Sequence, residues 1–421
     1  MEEPSPVPLS PKKKRPAVSS LVSARLPAES RRLLDAFPRL VDRVFPLPGR
    51  FRSSLGRDVA ELSLLLTSSR GGLPEGYLGR PALLSAYLRY FLPWNLYRLA
   101  RLLPALPLAL TDGDALTDLG SGPLTLPLAL WIARPEYRSL GLQFRCLDRT
   151  DGALHAGKRL FAALAGPASP WKIRTIHAPL NAPVKGPPAA LVTAVNVYNE
   201  VFGSIPHADS RALVRTARQA ARHLAALSSP GGAILVVEPG VPRSGQFIAC
   251  LRAALMEQGR PPQAPCTHTG PCPFPGGKAG AGERQTAGEK RKWCHLAFDT
   301  AEAPPALLAL SAAARLPKER AALSFLLSGG AGQPDMADEP PARSGAETAI
   351  RILSDPFPLP AGGKPGRYGR YGCSERGAVL AAGDQQTMYG MNPGTLLRLP
   401  VPGPDKERRD PKTGAVVIEL R

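Results

Sequence analysis

Thiols and imidazoles gathered in one Pro/Gly-rich stretch are the side chains of this sequence best suited to chemistry. "APCTHTGPCPFPGG" carries two cysteines separated by five residues, "KRKWCHLAF" adds a third after another 21, and "GRYGRYGCSERG" supplies a distant fourth. These residues are Cys266, Cys272, Cys294 and Cys373, with His268 and His295 beside them. Four thiolates typically hold a [4Fe–4S] cluster, and mixed Cys/His ligation is typical of zinc. The spacing leaves the cluster, zinc and unliganded thiols as open alternatives.

A glycine-bearing turn, "TDLGSGP", is the second candidate site. Asp118 ends an apolar strand, and Gly120 and Gly122 let the backbone approach a ligand at the start of the next helix. Asp148 ends the following strand, where a carboxylate can accept hydrogen bonds from ribose hydroxyls. Thr125 stands where a dinucleotide fingerprint requires glycine, so the pattern resembles class I S-adenosylmethionine-dependent methyltransferases more than NAD enzymes. The candidate cofactor-binding residues are Asp118, Gly120, Ser121, Gly122 and Asp148. The alternative is a purely structural turn.

Catalytic residues are not identified by the sequence. "NVYNE" (196–200) occupies the strand end where base-methylating motifs lie, but it lacks their prolines. No cysteine pair of the kind used for cytosine C5 chemistry is present, and Cys146 and Cys250 are expected to be small buried hydrophobes. Whether the protein is an enzyme therefore stays open, with methyl transfer to rRNA as the candidate activity.

The charge of the chain points to a polyanionic partner. Its 421 residues carry a net charge of +19, which favours nucleic acid first and an anionic membrane surface second. No apolar run is long enough for a transmembrane helix, so we expect no membrane partner, and we expect no secretory signal. Six cysteines without an export signal predict a reducing compartment and disfavour disulfides. We expect a bacterial cytoplasmic location, or a mitochondrial one in a eukaryotic host. The oligomeric state is left open, with a monomer as the expectation.

The elements that must position these residues alternate between strand and helix in the middle of the chain. This order predicts an α/β fold with a doubly wound, Rossmann-like parallel sheet covered on both faces. The aromatic stretch "LLSAYLRYFLPWNLYRLARLL" before it is expected to be helical core rather than an RNA surface. The expected organisation is a disordered basic arm (1–30), an N-terminal helical region (31–111), the Rossmann-like core (112–258), a Cys-rich metal-binding loop with the final strands (259–328), a flexible linker (329–348) and a small β-rich C-terminal module (349–421).

Several of these segments together resemble one family, the ribosomal small-subunit methyltransferase-like proteins of bacteria and mitochondria (the Rsm-twenty-two family). The segments are "GYLGRPALLSAYLRYFLPWNLYRL", "LTDLGSGPLTLPLAL", "ILVVEPG", "PCTHTGPCP" and "KWCHLAF". The resemblance covers residues 70–300 best and extends weakly to Cys373. It implies a class I methyltransferase-type fold, association with the small ribosomal subunit during its maturation, and contact with rRNA.

The resemblance also implies roles for particular residues. Cys266, Cys272, Cys294 and Cys373 would ligate a [4Fe–4S] cluster, with zinc as the alternative metal. Asp118, Gly120, Gly122 and Asp148 would line an S-adenosylmethionine pocket. Additional RNA-contact candidates are the basic run 12–15, the segment "KERRDPKTG", and the residues around Cys373, namely Arg367, Tyr368, Arg370 and Tyr371. For each of these candidates a solvated surface charge is the alternative.

Overall fold

Two β-sheets and a helical N-terminal region make up the chain in a computed structural model. The structure describes residues 19–67, 76–276, 292–330, 347–359, 366–400 and 407–420. Among these residues, no helix has both the length and the apolar character needed to cross a bilayer.

The N-terminal region is built from five helices, α1 to α5. Their bounds are Ala28–Val44, Gly49–Arg52, Leu55–Thr67, Pro81–Ala86 and Leu92–Leu102. A π-helical turn, Tyr87–Phe91, joins α4 to α5 without a break. The aromatic stretch is core as predicted, because Tyr90, Trp94 and Tyr97 are almost completely buried.

The first sheet contains eight strands, of which five are parallel. Strands β2 to β9 are Ala115–Leu119, Gln143–Asp148, Lys172–His177, Ala189–Val195, Ser228–Pro239, Pro262–Ala264, Leu296–Asp299 and Arg320–Ser328. Their spatial order is β4-β3-β2-β5-β6-β9-β7, with β8 also pairing with β9. Strands β4, β3, β2, β5 and β6 run parallel, whereas β9 is antiparallel to β6 and pairs antiparallel with β7 and β8.

Helices cover both faces of this sheet, as the alternating pattern predicts. Helices α6 to α11 are Thr125–Ala133, Asp151–Ala165, Tyr198–Val201, Ser210–Leu227, Pro242–Met256 and Pro305–Ala313. Every residue of α6 is buried, because this helix packs between the sheet and α5. The opposite face carries α9 and α10, which bury a second apolar cluster.

The second sheet is formed mainly by the C-terminal residues. Strands β10 to β15 are Glu347–Ile352, Phe357–Pro358, Arg367–Ser374, Gly377–Asp384, Thr395–Pro400 and Val416–Glu419, and helix α12 is Gln385–Tyr389. The order is β1-β14-β10-β12-β13-β15, where β1 is Ser19–Ser20 and β11 pairs beside β12. This sheet encloses its own small apolar cluster, which includes Ile350, Val379 and Met388.

The start of the chain differs from the expectation of a disordered arm up to residue 30. Ser19–Ser20 pairs with β14, and α1 begins at Ala28. Leu21, Val22 and Leu26 supply the reason, since all three are buried in the main core. The basic run 12–15 and most of the expected linker lie outside the described residues.

Candidate functional site

The turn between β2 and α6 has a backbone shape that its glycines make possible. Gly120 has φ +64°, and a Cβ at this position would lie 2.3 Å from a methyl group of Val197, so only glycine fits. Gly122 also has positive φ, at +52°. The backbone therefore turns sharply at the carboxyl end of β2, where neighbouring strands diverge to either side and α/β proteins bind their ligands.

Asp118 supports this turn from below. Its carboxylate is 1% exposed and accepts hydrogen bonds from the hydroxyls of Ser121 and Thr193, both at 2.7 Å. Burial raises the pKa of Asp118 to about 6, and the two hydroxyl hydrogen bonds oppose that rise. Asp118 and Ser121 do not line the cavity above the turn, and both support the turn from beneath it.

Asp148 reaches the cavity from the end of β3. Its two carboxylate oxygens accept hydrogen bonds from the backbone N–H groups of Gly122 and Thr150, both at 2.8 Å. Burial raises the pKa of Asp148, and these hydrogen bonds counteract the rise. Because each carboxylate oxygen can accept two hydrogen bonds, the group keeps capacity for a ligand's hydroxyls.

The cavity itself measures about 790 Å³ and opens at the carboxyl ends of β2, β3 and β5. Its walls include Gly120, Gly122 and Asp148 together with residues of α9. The size and the mixture of apolar walls with a few polar groups are typical of a small-molecule site.

The N-terminal region covers one side of this cavity, which the sequence analysis did not foresee. The Tyr77 hydroxyl donates to Oε1 of Glu200 at 3.1 Å, and Arg149 pairs with Oε2 of Glu200 at 3.2 Å. Burial raises the pKa of Tyr77 well above its usual value, and the charge of Glu200 raises it further. Burial likewise raises the pKa of Tyr87, which lines the same wall, so both tyrosines are neutral hydrogen-bonding groups. Glu200 belongs to the "NVYNE" motif, so this motif is the sequence feature from which a cavity-wall residue could have been predicted.

A buried glutamate shapes the loop that carries this motif. Glu238, which is fully buried at the end of β6, accepts hydrogen bonds from the backbone N–H groups of Tyr198 at 2.8 Å and Asn199 at 3.1 Å, and from the Asn199 side chain at 2.8 Å. Asn196 precedes them with a positive φ of 55°. The E-P-G strand end is thus a structural clamp for the loop after β5.

The four cysteines singled out from the sequence line one small cavity between the two sheets. Cys266 and Cys272 come from the loop after β7, Cys294 precedes β8, and Cys373 lies on β12. Phe274 and Leu353 add apolar walls. Burial, followed by the mutual proximity of the thiols, raises the pKa of Cys272, Cys294 and Cys373. In the part of the chain that the structure describes, no three His, Cys, Asp or Glu side chains stand in geometry that could ligate one metal ion.

Two buried guanidinium groups line the same cavity. Arg252 of α10 and Arg351 of β10 are each 5% exposed. Arg252 donates to the carbonyl of His268 at 2.7 Å, and Arg351 donates to the carbonyls of Pro265 at 3.1 Å and Gly394 at 2.9 Å. Desolvation lowers the pKa of Arg351 to about 10, which leaves it charged at neutral pH. Neither arginine has an ion pair with a carboxylate among the described residues, so the thiols are the groups that can supply negative charge.

The two histidines near the cysteines separate in the structure. Nε2 of His268 lies 3.1 Å from the Cys373 sulfur, which places His268 within the cavity wall. His295 instead stacks on Trp293 and hydrogen-bonds its carbonyl. Of the two, only His268 lines the cavity and so remains a candidate ligand.

Residues flanking Cys373 divide into buried and accessible groups. Arg370 is 2% exposed and donates to the carbonyls of Ser354 and Met391, so it is a structural residue and not an RNA contact. Arg367 pairs with Glu419, and Tyr368 packs edge-on against Tyr389. Tyr371 is 7% exposed and stacks on Phe357.

The order of the strands and the turn define the class of fold. Counting the core strands along the chain without β8, the sheet reads 3-2-1-4-5-7-6, with the seventh strand antiparallel. This order, together with the glycine turn after the first strand and the acid after the second, is the Rossmann-like fold of class I methyltransferases.

Comparisons with solved structures give distant likenesses to the same class. A methyltransferase from Thiobacillus denitrificans, solved with S-adenosyl-L-homocysteine, matches at 14% identity and a TM-score of 0.31, covering 56% of this chain and 91% of that chain. A SAM-dependent methyltransferase from Geobacter sulfurreducens, also solved with S-adenosyl-L-homocysteine, matches at 13% identity and a TM-score of 0.30, covering 56% of this chain and 91% of that chain. Geranyl diphosphate C-methyltransferase from Streptomyces coelicolor matches at 11% identity and a TM-score of 0.32, with coverage of 62% and 87%. Neither a scan against protein-family models nor a search of curated proteins gives a match.

Proposed function

We propose that this protein is a maturation factor of the small ribosomal subunit that contacts rRNA, in the manner of the Rsm-twenty-two family. In this proposal the crevice binds S-adenosylmethionine, and four cysteines hold a [4Fe–4S] cluster between the two sheets. The observation that carries the proposal is the convergence of Cys266, Cys272, Cys294 and Cys373, from segments far apart in the sequence, on one cavity with two buried arginines.

The chemistry of this donor set fits a thiolate-bound metal. A buried cation without a counter-charge is costly, and a cluster in its 2+ state with four thiolates carries a net charge of −2. Arg252 and Arg351 would balance that charge. Since the thiols are not in ligating geometry, metal binding would draw the loop after β7 and strand β12 together, so binding energy becomes folding energy for both.

The crevice supports S-adenosylmethionine as its ligand. Asp148 can accept hydrogen bonds from ribose hydroxyls, and the turn at Gly120 and Gly122 admits a close approach of the ligand to the backbone. Glu200, Tyr77 and Arg149 would close the pocket on the side of the N-terminal region.

The partner follows from the charge. At a net charge of +19 the chain suits a polyphosphate such as rRNA, and its affinity would fall steeply with salt.

Anaerobic purification tests the metal and the partner together. We expect about four irons with matching sulfide per chain and absorption near 400 nm, because a Cys₄ site typically holds a four-iron cluster. Cys373→Ser should lose the cluster and association with immature small-subunit particles, whereas Cys146→Ala, a buried thiol of β3, should keep both. A Cys373→Ser protein with full cluster content and particle binding would contradict the proposal. About one zinc and no colour would make it a zinc-bearing nucleic-acid-binding protein, with His268 as a ligand.

A second candidate function is methyl transfer to rRNA, which the large cavity above Asp148 favours. Radiolabelled S-adenosylmethionine offered with immature particles should then label rRNA, and Asp148→Ala should abolish labelling. Asp148→Asn is the matched control, because it keeps one acceptor oxygen and should lose less activity. If wild-type protein binds the cofactor without labelling any particle, this candidate is excluded.

A further inference from the structure

The C-terminal sheet has a connectivity found in one well-defined class of small barrels. Setting aside β1 and β11, strand one (β10) pairs antiparallel with strand two (β12) and strand four (β14), and strand two pairs antiparallel with strand three (β13). Strand three pairs in parallel with strand five (β15), and helix α12 lies between strands three and four. Five strands with these pairings and this helix position form the OB fold, a partly open barrel.

The binding surface of such barrels is the outer face of strands two and three with the flanking loops. Here alternate residues of β12, Tyr371 and Cys373, share the face opposite to the barrel interior, since they pack with the main core and not with the barrel cluster. The cysteine loop covers this face at Cys373. Tyr371, two residues earlier on β12, lies at the edge of the area that the cysteine loop covers.

Aromatic rings and lysines meet at that edge. Phe357 and Tyr371 stack with ring centroids 5.0 Å apart, and Phe357 is half-buried. The ammonium group of Lys292 lies 3.1 Å from the centre of the Tyr371 ring. Lys412, from the connection between strands four and five, reaches the same edge, because its backbone N–H lies 3.5 Å from Oδ1 of Asp410 and the Tyr371 hydroxyl donates to the other oxygen of that carboxylate. Asp410 is itself occupied, because it accepts hydrogen bonds from Tyr371 and Thr413.

Two lysines at the edge of a ring stack suit a phosphate and a base. A phosphate at this edge would pair with the positive charges of Lys292 and Lys412, and the accessible side of Phe357 offers a stacking surface to a base. A duplex hides its base faces, so this arrangement discriminates in favour of single strands.

We propose that the edge formed by Lys292, Phe357, Tyr371 and Lys412 binds single-stranded RNA, with a phosphate between the lysines and a base on Phe357. This inference rests on the proposed function, which it deepens by naming unpaired rRNA as the element that the C-terminal barrel contacts.

The test uses the full-length protein and a fluorescein-labelled single-stranded RNA of about 12 nucleotides, within the site size of one OB fold. Anisotropy titrations are run against the same RNA annealed to its complement. We expect Lys412→Glu to weaken single-strand binding about tenfold and to flatten the salt dependence. Phe357→Leu keeps an apolar cover on Tyr371 but removes the aromatic face, and should weaken binding about fivefold. The matched control is Lys158→Glu, an equal charge change at an exposed position of α7. It should weaken single-strand binding by less than about twofold.

Equal losses for Lys412→Glu and Lys158→Glu, or equal affinity for single and double strands, would overturn the inference, since both outcomes indicate non-specific attraction. Sedimentation with immature small-subunit particles separates this failure from failure of the proposed function. Wild-type binding to particles without the selective oligonucleotide losses removes only the inference. Selective oligonucleotide losses without particle binding support the inference and contradict the proposed function.

Discussion

The crevice and the cysteine cavity differ in how their charged groups are satisfied. In the crevice, the carboxylates of Asp118, Asp148 and Glu238 each accept hydrogen bonds from nearby hydroxyl or backbone N–H groups. In the cysteine cavity, Arg252 and Arg351 are buried against thiols and carbonyls. The crevice is therefore complete as a protein structure, whereas the cysteine cavity has an electrostatic requirement that protein groups alone meet only if the thiols ionise.

This difference follows from where the residues lie in the chain. The acids of the crevice stand at strand ends whose positions the parallel sheet determines. The cysteines come from a loop after β7, the approach to β8 and a strand of the second sheet. We infer that the first site forms with the fold, and that the second gains its order from a bound metal.

The largest expected effect comes from removing one thiol. Cys373→Ser should lower the free energy of unfolding of the C-terminal barrel by more than about 4 kcal/mol in protein purified with its metal, because loss of the metal removes folding energy. Hydrogen exchange should rise in residues 262–276 and 347–359, while residues 115–148 of the crevice stay protected. If hydrogen exchange in both regions were the same in the variant as in the wild type, the inference that metal orders the cysteine cavity would be contradicted.

Removing one of the buried charges should act differently with and without the metal. Arg351→Met loses two hydrogen bonds to carbonyls in either state, but in the metal-loaded protein it also leaves the thiolates short of one counter-charge. We expect the variant to lower the free energy of unfolding by about 3 kcal/mol with metal and by a clearly smaller amount without it. By linkage, the difference equals the lost metal affinity, which competition with a chelator measures independently. The same cost in both states would show that Arg351 serves only packing.

Sequence reasoning succeeded where local pattern determines position. The strand–turn–helix order predicted the parallel sheet, and Gly120, Gly122 and Asp148 line one cavity at its edge, while their part in cofactor binding stays a prediction. It did not predict that the Asp118 carboxylate faces the Ser121 and Thr193 hydroxyls, because a residue type at a strand end does not reveal which way its carboxylate points. Thr193, 75 residues away, supplies one of its hydrogen bonds.

Contacts between distant segments explain the other differences. Tyr77 meets Glu200 across 123 residues, and no spacing in the sequence records that pairing. The burial of Arg370 could not be predicted from the sequence either, since its carbonyl partners, Ser354 and Met391, lie in other segments of the chain. The four cysteines were the exception, because their residue type limits their chemistry and because the family resemblance grouped them.

The buried acid of the crevice gives a pH dependence of known sign. The pKa of Asp118 rises from 3.8 to about 6 on folding, so the folded protein holds this proton at higher pH than the unfolded chain does. Its stabilising contribution is present below pH 3.8 and is lost as pH rises through about 6. Asp118→Asn should remove this loss. The free energy of unfolding of the wild type should therefore fall, relative to that of the variant, by about 3 kcal/mol between acid and neutral pH. Chemical denaturation of both proteins across that range measures the difference. A pH-independent difference would show that the carboxylate is solvated in the folded state.

The smallest expected effect tests the cover of the crevice. Tyr77→Phe removes the hydroxyl that donates to Glu200 and keeps the buried ring, while Arg149 still pairs with the same carboxylate. One hydrogen bond to a charged group contributes about 1.5 kcal/mol, so local opening of residues 76–80 should become roughly tenfold more frequent in hydrogen exchange. Tyr389→Phe, at a hydroxyl of an exposed ring in the second sheet, is the matched control and should change nothing in the crevice. Because the cysteine cavity shares no hydrogen bond with Tyr77 among the described residues, exchange around Cys373 should also stay unchanged. A Tyr77→Phe variant that loosened both regions equally would mean that the crevice and the cysteine cavity open as one unit, and the separation between a site formed by the fold and a site ordered by metal would then fail.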